Sequence, residues 1–362
     1  MQKRILVWGL SNNRAGTEAV IANYVNCSKD ITFDFLCYEN PSINYSFLFE
    51  NTNNRWFVIP TKIKNPLRYQ KKLKQFFNEH GEEYIAVWAN LNDISNIDVL
   101  KMAKKYRIKN RIAHAHNSSI PNVMVTRLFQ RINRAAFDEL VTERWACSQR
   151  AGLFFYQDKS FKVVANRVDR SKMTLDIRKR NRIREQYDLQ NKLVIGSVGR
   201  LTETKNLSYL INLLPDLILR NPNIVFLSIG EGEAKDALLD QAKKIGIDRY
   251  VIFAGSQKDV QGYLSAMDVY VMPSLFEGIP LSLLEAQFNG LPCICSDAVD
   301  EEAQFASETY FVSLADTKRW IELLLNVNRS CVTLNEKRSN LFDLKYAKKT
   351  AQEMFEFMNL NK

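Results

Sequence analysis

Short apolar runs separated by longer helix-like stretches constrain this chain more than any other feature. They fall at 5–8, 33–37, 56–59, 84–88, 111–114, 140–146 and 162–165. After a break they resume at 193–198, 224–229, 250–254, 269–272, 292–295 and 310–312. Strands alternating with helices build βαβ units and mostly parallel sheets. Residues 166–190, between the two sets, are strongly charged and lack apolar periodicity, which reads as an exposed connector. The expectation is an α/β chain of two similar, Rossmann-like halves, 1–168 and 169–343. Ligands of open parallel sheets bind beyond the carboxyl ends of the strands, so chemistry is sought there, at a cleft where the two sheets face each other. Residues 344–360 read as a closing helix with apolar Ala347, Ala351, Met354, Phe355 and Met358. It either caps the second half or crosses back onto the first.

A chain of 362 residues, 46% hydrophobic and 25% charged, lets each half bury its own core. No uninterrupted apolar run reaches 18 residues, and the first one is too short for a signal peptide. The six cysteines are scattered, with no CxxC or Cys/His cluster to hold a metal, and read as reduced thiols of a cytoplasmic protein. Charge is uneven. Residues 1–170 hold 26 Lys+Arg against 15 Asp+Glu, net +11, and the remainder 24 against 25, net −1, which together give the +10 of the chain. The basic half concentrates its charge at 62–74, at 101–111 and in Arg127, Arg131 and Arg134, the last three on one helix face beside Leu128 and Phe129. An anionic membrane surface is the expected partner, reached from the cytoplasmic side as a peripheral protein. No nucleic acid is expected, since no binding motif is present.

Two stretches carry the chemistry. In 267–286 a buried strand ends at Pro273, a loop bears Glu277 and Gly278, and a helix starts with Pro280 near its first position. Free backbone N–H groups at that start suit a diphosphate. Glu285, about one and a half turns in, can accept from two vicinal hydroxyls such as a ribose, and Glu277 from hydroxyls of a sugar. In 195–207 a strand ends at Gly199-Arg200, and Lys205 precedes a helix rich in Leu and Ile. Arg200 and Lys205 can converge on one point and neutralise a leaving diphosphate without metal. The sequence contains no Asp-x-Asp.

These stretches resemble the signature of family 4 of the retaining glycosyltransferases, with the GT-B architecture. Glu277 and Glu285 match its Glu-x7-Glu, and 199–206 its Gly-Arg-Leu…Lys-Asn block. Gly230-Glu231-Gly232 is similar to its Gly-x-Gly segment, 251–255 to the strand that follows, and Gly16-Thr17-Glu18 to its Gly-rich loop. Residues 33–36 and 111–118 resemble the branch that builds capsular or exopolysaccharide repeat units.

The resemblance implies an acceptor-side domain at 1–168, joined by the helix 344–362, and a nucleotide-sugar donor domain at 169–343. It implies that Arg200 and Lys205 hold the diphosphate and that Glu285 takes the ribose. Glu277 and the amides of Gly278, Ile279, Pro280 and Leu281 orient the donor sugar (proline contributing shape rather than an N–H), and His116 approaches that sugar from the first domain. Gly16, Asn206, Gly230, Ser256 and Gln257 are further donor contacts. No cofactor or metal is implied.

The implied reaction is retaining, front-face transfer of a hexose or N-acetylhexosamine from a UDP-sugar to a lipid-linked or polysaccharide acceptor. A nucleotide-sugar 2-epimerase and a non-catalytic GT-B partner subunit are the alternatives. Two positions depart from the family. Arg14-Ala15-Gly16-Thr17 keeps one glycine where two adjacent ones are common, and Asn166-Arg167-Val168-Asp169 stands for Asn-Gly-Ile/Val-Asp. A turn that needed a positive φ would cost Arg167 on the order of 1 kcal/mol.

Overall fold

The computed structural model describes residues 4–10, 16–28, 31–38, 53–117 and 124–360. The chain divides into two compact units, 1–166 with 346–362, and 167–345.

The first unit runs β1 (Arg4–Trp8), α1 (Gly16–Cys27), β2 (Thr32–Tyr38), β3 (Arg55–Ile59), α2 (Pro66–His80), β4 (Tyr84–Leu91), α3 (Asp98–Lys105), β5 (Asn110–Ala115), α4 (Met124–Leu140), β6 (Glu143–Ala146), α5 (Gln149–Tyr156) and β7 (Lys162–Val163). Its strands are parallel in the order β3-β2-β1-β4-β5-β6-β7. The order reverses between β1 and β4, which is where such sheets open a crevice at their carboxyl ends. Leu6, Trp8, Val87, Ala89, Ala113 and Ala115 pack one face of the sheet together with Leu73, Phe77 and Phe137 from the helices. At the amino ends of the strands a fully buried Asp34 carboxylate accepts from Arg4 at 2.7 and 2.9 Å, from Arg55 at 2.6 Å and from the Tyr84 hydroxyl at 2.9 Å. Burial pushes this acid upward, but the three donors outweigh it and hold the carboxyl below its usual range. Arg4 and Arg55 are thereby spent inside the protein, as is Arg111, whose guanidinium caps the carbonyls of Leu140 and Ile108 at 2.6 Å each.

The second unit runs α6 (Ile177–Gln186), β8 (Leu193–Val198), α7 (Leu207–Arg220), β9 (Ile224–Ile229), α8 (Lys235–Ile245), β10 (Val251–Phe253), α9 (Val260–Ala266), β11 (Val269–Met272), α10 (Leu281–Phe288), β12 (Cys293–Ser296), β13 (Thr309–Val312), α11 (Thr317–Leu325) and α12 (Glu336–Phe342). Its parallel order is β10-β9-β8-β11-β12-β13, with the switch between β8 and β11. The core gathers Ile195, Phe226, Val269, Val271 and Ile294 of the sheet with Leu210, Leu214, Trp320 and Leu324. The last helix, α13 (Ala347–Leu360), belongs to the first unit and packs against α1, with Ala347 and Ala351 buried.

Each apolar run contains a strand, with adjusted ends. The run 140–146 shortens because Leu140 closes α4, the Val141 amide still donating to Phe137 O at 3.1 Å. The segment 166–190 is not an exposed connector. It holds α6, which packs on α9, and its charges act as clamps. Arg184, nearly buried, donates to the carbonyls of Ala266, Leu189 and Lys192 and reaches Asp268 at 3.2 Å, while Arg180 meets Asp268 at 2.6 Å. Arg167 adopts no positive φ, so the turn is unstrained. Its guanidinium donates to Asn340 O and Asp343 O, and Val168 pairs with Asp343 in a parallel bridge. That pairing carries 167 and 168 into the second unit, two residues earlier than the sequence boundary.

Candidate active site

The carboxyl ends of β8, β9 and β10 meet at backbone contact. Gly230 has φ +136°, and a Cβ there would lie 1.9 Å from Gly199 O, so only glycine allows this approach. The Gly199 amide donates to Ile229 O at 3.0 Å and the Gly230 amide to Gly255 O at 2.9 Å, which ties three strand-end loops together. Arg200 leaves β8 on this platform. Asn206, in the left-handed region at φ +53°, turns the chain into α7 and donates its side-chain amide to Pro273 O at 3.1 Å. The preceding turn sets Lys205 across Gly199.

Lys205 Nζ lies 2.6 Å from Glu277 Oε1, both side chains mostly buried. The Glu277 loop is pinned on both sides. The Leu275 amide donates to Thr204 O at 2.8 Å, and the Glu277 amide to Ala298 O at 3.3 Å within a parallel bridge to Val299. Arg200 and Lys205 line one pocket with Ser197, Gly199, Met272 and Ser274. Ser274 is fully buried and its hydroxyl has no hydrogen-bond partner among the described residues. Arg200 reaches Glu233 at 3.3 Å near the surface.

Pro280 is the N-cap of α10, one residue ahead of the helical position expected for it, and the helix begins at Leu281. The Leu283 and Leu284 amides donate to Pro280 O at 3.1 and 3.3 Å, so the Leu281 and Ser282 amides are the ones ahead of the intrahelical ladder that suit an anion. Glu285 stands in the second turn, half-buried, and burial pushes its carboxyl up to about 7. Tyr270 from β11, fully buried, donates to Ser282 Oγ at 2.9 Å and lies 3.4 Å from Val198 O. It therefore braces the first turn of α10 against the end of β8.

The second unit thus brings together Arg200, Lys205, Asn206, Glu277, Gly278, Ile279, Pro280, Leu281 and Glu285 around the β8/β11 switch. Gly230 forms its floor. Ser256 and Gln257 follow β10, where the Gln257 side-chain amide is turned back onto Ala254 O at 2.5 Å. His116 and Gly16 belong to the first unit. His116 follows β5, its Nε2 2.9 Å from Asn90 Oδ1 and its ring 4.3 Å from that of His114. Gly16, Thr17 and Glu18 start α1 rather than forming a loop, with Glu18 buried in the first turn. Arg14, Ala15 and Ser118 lie outside the described residues. Sequence reasoning missed Glu233, Ser274, Tyr270 and Asn90. A polar residue inside an apolar strand, as Tyr270 and Asn90 are, was the available signal for two of them. Among the described residues no three His, Cys, Asp or Glu side chains gather as metal ligands would.

Two parallel sheets, the second gathering cations, paired acids and a helix start at its switch point, have the GT-B fold of glycosyltransferases. Residues 179–329 match the family described as "Glycosyl transferases group 1", so the second unit carries a domain of that family. EpsF of Bacillus subtilis (strain 168), named as a glycosyltransferase, is 28% identical over 314 residues, 83% of this chain and 81% of that protein. The UDP-Gal:alpha-D-GlcNAc-diphosphoundecaprenol alpha-1,3-galactosyltransferase of Escherichia coli is 33% identical over 171 residues, 46% of this chain and 44% of the relative. Among solved structures, Anabaena Alr3699/HepE in complex with UDP-glucose superposes with a TM-score of 0.81 at 17% identity, over 98% of this chain and 99% of that one. That likeness concerns the fold.

Proposed function

We propose that the protein transfers a hexose or N-acetylhexosamine, with retention, from a UDP-sugar to a lipid-linked or polysaccharide acceptor during capsule or exopolysaccharide synthesis in bacteria. The observation that carries the reading is the Lys205–Glu277 pair at 2.6 Å, with Lys205 and Arg200 lining one pocket at the end of β8. A UDP-galactose donor and a diphosphoundecaprenol acceptor in one relative's name, and UDP-glucose bound to a structural neighbour, support the substrate classes.

In this reading the diphosphate takes the amides of α10 and the charges of Arg200 and Lys205. Lys205 then exchanges Glu277 for phosphate oxygens and stabilises the charge that develops on the departing UDP. Glu277, released from the ion pair, accepts from hydroxyls of the sugar. Glu285 accepts from the ribose diol. The departing phosphate oxygen takes the acceptor proton on the same face from which UDP leaves, which retains the anomeric configuration. Two fixed cations fill the role of a metal, so added chelator leaves the rate unchanged. A panel of UDP-sugars incubated with lipid diphosphate acceptor tests this. Glucosyl, galactosyl or N-acetylhexosaminyl transfer, lost in Glu277→Ala and Lys205→Ala proteins that remain folded, is the expected result. Full transfer by either variant contradicts the assignment.

The acceptor class brings the protein to an anionic membrane as a peripheral protein of the cytoplasmic face. No helix among the described residues is long and apolar enough to cross a membrane. Support comes from the start of α2, where Ile63 (98% exposed) and Leu67 (84%) stand among Lys64, Arg68, Lys71 and Lys72. On α4, Leu128, Phe129 and Ile132 are likewise exposed beside Arg127 and Arg131. Arg134 is not part of that face, because its guanidinium donates to Phe155 O at 2.6 Å.

A further inference from the structure

The loop between β9 and α8 carries two acids, Glu231 and Glu233, and the proposed reaction uses neither. Main-chain contacts tie this loop to both sides of Arg200. Gly230 abuts Gly199 O, ahead of the arginine. Behind it, the Leu201 amide donates to Glu231 O at 3.1 Å and the Ala234 amide to Leu201 O at 3.0 Å. A Cβ at Gly232 would lie 2.2 Å from Leu201 O, so the two loops close up only over glycine. Glu233 is therefore set beside Arg200 by the backbone.

The two acids differ in what holds them. Glu231 meets Lys235 at 3.1 and 3.2 Å, so its charge is taken. Glu233 accepts from Arg200 Nη2 at 3.3 Å and from no other described residue. That bond is long and its side chains are 42% and 68% exposed, so it opens easily. The guanidinium carries five N–H groups and spends one of them on Glu233, which leaves the rest for an incoming anion. Lys205 is placed alike, held on Glu277 at 2.6 Å. Both cations that line the pocket at the end of β8 thus have a carboxylate of their own. Glu277 has a further task on the sugar in the proposed reaction, whereas Glu233 has none.

We propose that Glu233 is a built-in competitor of the diphosphate. It holds Arg200 when no diphosphate is bound, yields it to the phosphate oxygens of a nucleoside diphosphate, and takes it back as UDP leaves. The proposal rests on the reading of Arg200 as a diphosphate-holding residue. It goes beyond that reading by naming a residue that limits how long the product stays.

Glu233→Gln keeps the shape and removes the charge of an exposed side chain, so folding is not at stake. Calorimetric titration of UDP into the full chain at pH 8 compares it with the wild type. Affinity should rise about fivefold, the most that an exposed ion pair allows, and stopped-flow displacement should show the gain as slower release of UDP. A double-mutant cycle with Arg200→Gln separates pairing from repulsion through space. Against Arg200→Gln the same change should gain less than about twofold, because no pair is left to break. A gain of equal size in both backgrounds overturns the proposal, as does wild-type affinity for UDP in Glu233→Gln. Undiminished UDP affinity in Arg200→Gln alone would instead remove Arg200 from the diphosphate, a separate failure.

Discussion

Lys205 and Glu277 neutralise each other at 2.6 Å, which explains how two charges sit mostly buried beside an apolar strand end. Removing one leaves the other without a partner, so the two variants differ in kind. Lys205→Ala loses the cation that the leaving diphosphate needs, and kcat should drop about 100-fold or more. Glu285 behaves differently because no cation among the described residues accompanies it. Its folded value of about 7 lies above the ordinary 4.5, so the folded state favours the protonated acid. The stability this contributes is fully present below about 4.5 and is lost as pH rises through about 7. A ribose diol needs the ionised form, so affinity for UDP-glucose, which does not titrate in this range, should rise about tenfold between pH 6 and 8. Isothermal titration across that interval checks it. Glu285→Gln should flatten the profile, and a flat wild-type profile would remove Glu285 from the nucleotide.

At the scale of elements, α6 is held by ion pairs rather than by an apolar stripe. Asp268 accepts from Arg180 and Arg184 and also from the Val194 amide at 2.8 Å, so one carboxylate anchors α6 to the starts of β8 and β11. Asp268→Ala should cost about 3 kcal/mol, read from chemical denaturation, because two arginines and an amide lose their acceptor together. A loss under about 0.5 kcal/mol would show that the arginines hold through backbone carbonyls alone. The same element marks where the sequence stops being readable. Parallel strands are covered on both faces, so their composition alone announces them, and the runs from β1 to β13 are recoverable from one sequence. A charged helix has no such mark, because Arg184 bonded to carbonyls and Arg184 in water are the same letter. The Gly199–Arg200 and Glu277–Glu285 blocks were readable because their spacing is local. The Lys205–Glu277 contact, the Tyr270–Ser282 brace and the Asn90–His116 bond depend on register between distant strands, which no local pattern encodes.

For the whole molecule, the net charge of +11 over residues 1–170 survives as a surface property only in part. Arg4, Arg55, Arg111 and Arg134 are used inside, leaving the exposed lysines and arginines of α2 and α4 beside bare apolar side chains. Attachment by such a surface should weaken with salt. Sedimentation with vesicles rich in anionic lipid should fall between low and 0.5 M salt, and further in Ile63→Glu with Leu128→Glu. Equal sedimentation throughout would contradict membrane docking. The account as a whole depends on the second unit gripping a nucleoside diphosphate sugar. Calorimetric titration of UDP-glucose and UDP into the full chain and its Lys205→Ala and Glu285→Gln variants at pH 8 tests that most directly. The prediction is one saturable site, shared by both ligands and weakened at least tenfold in each variant. Absence of binding by the wild type, or unchanged affinity in both variants, would contradict it.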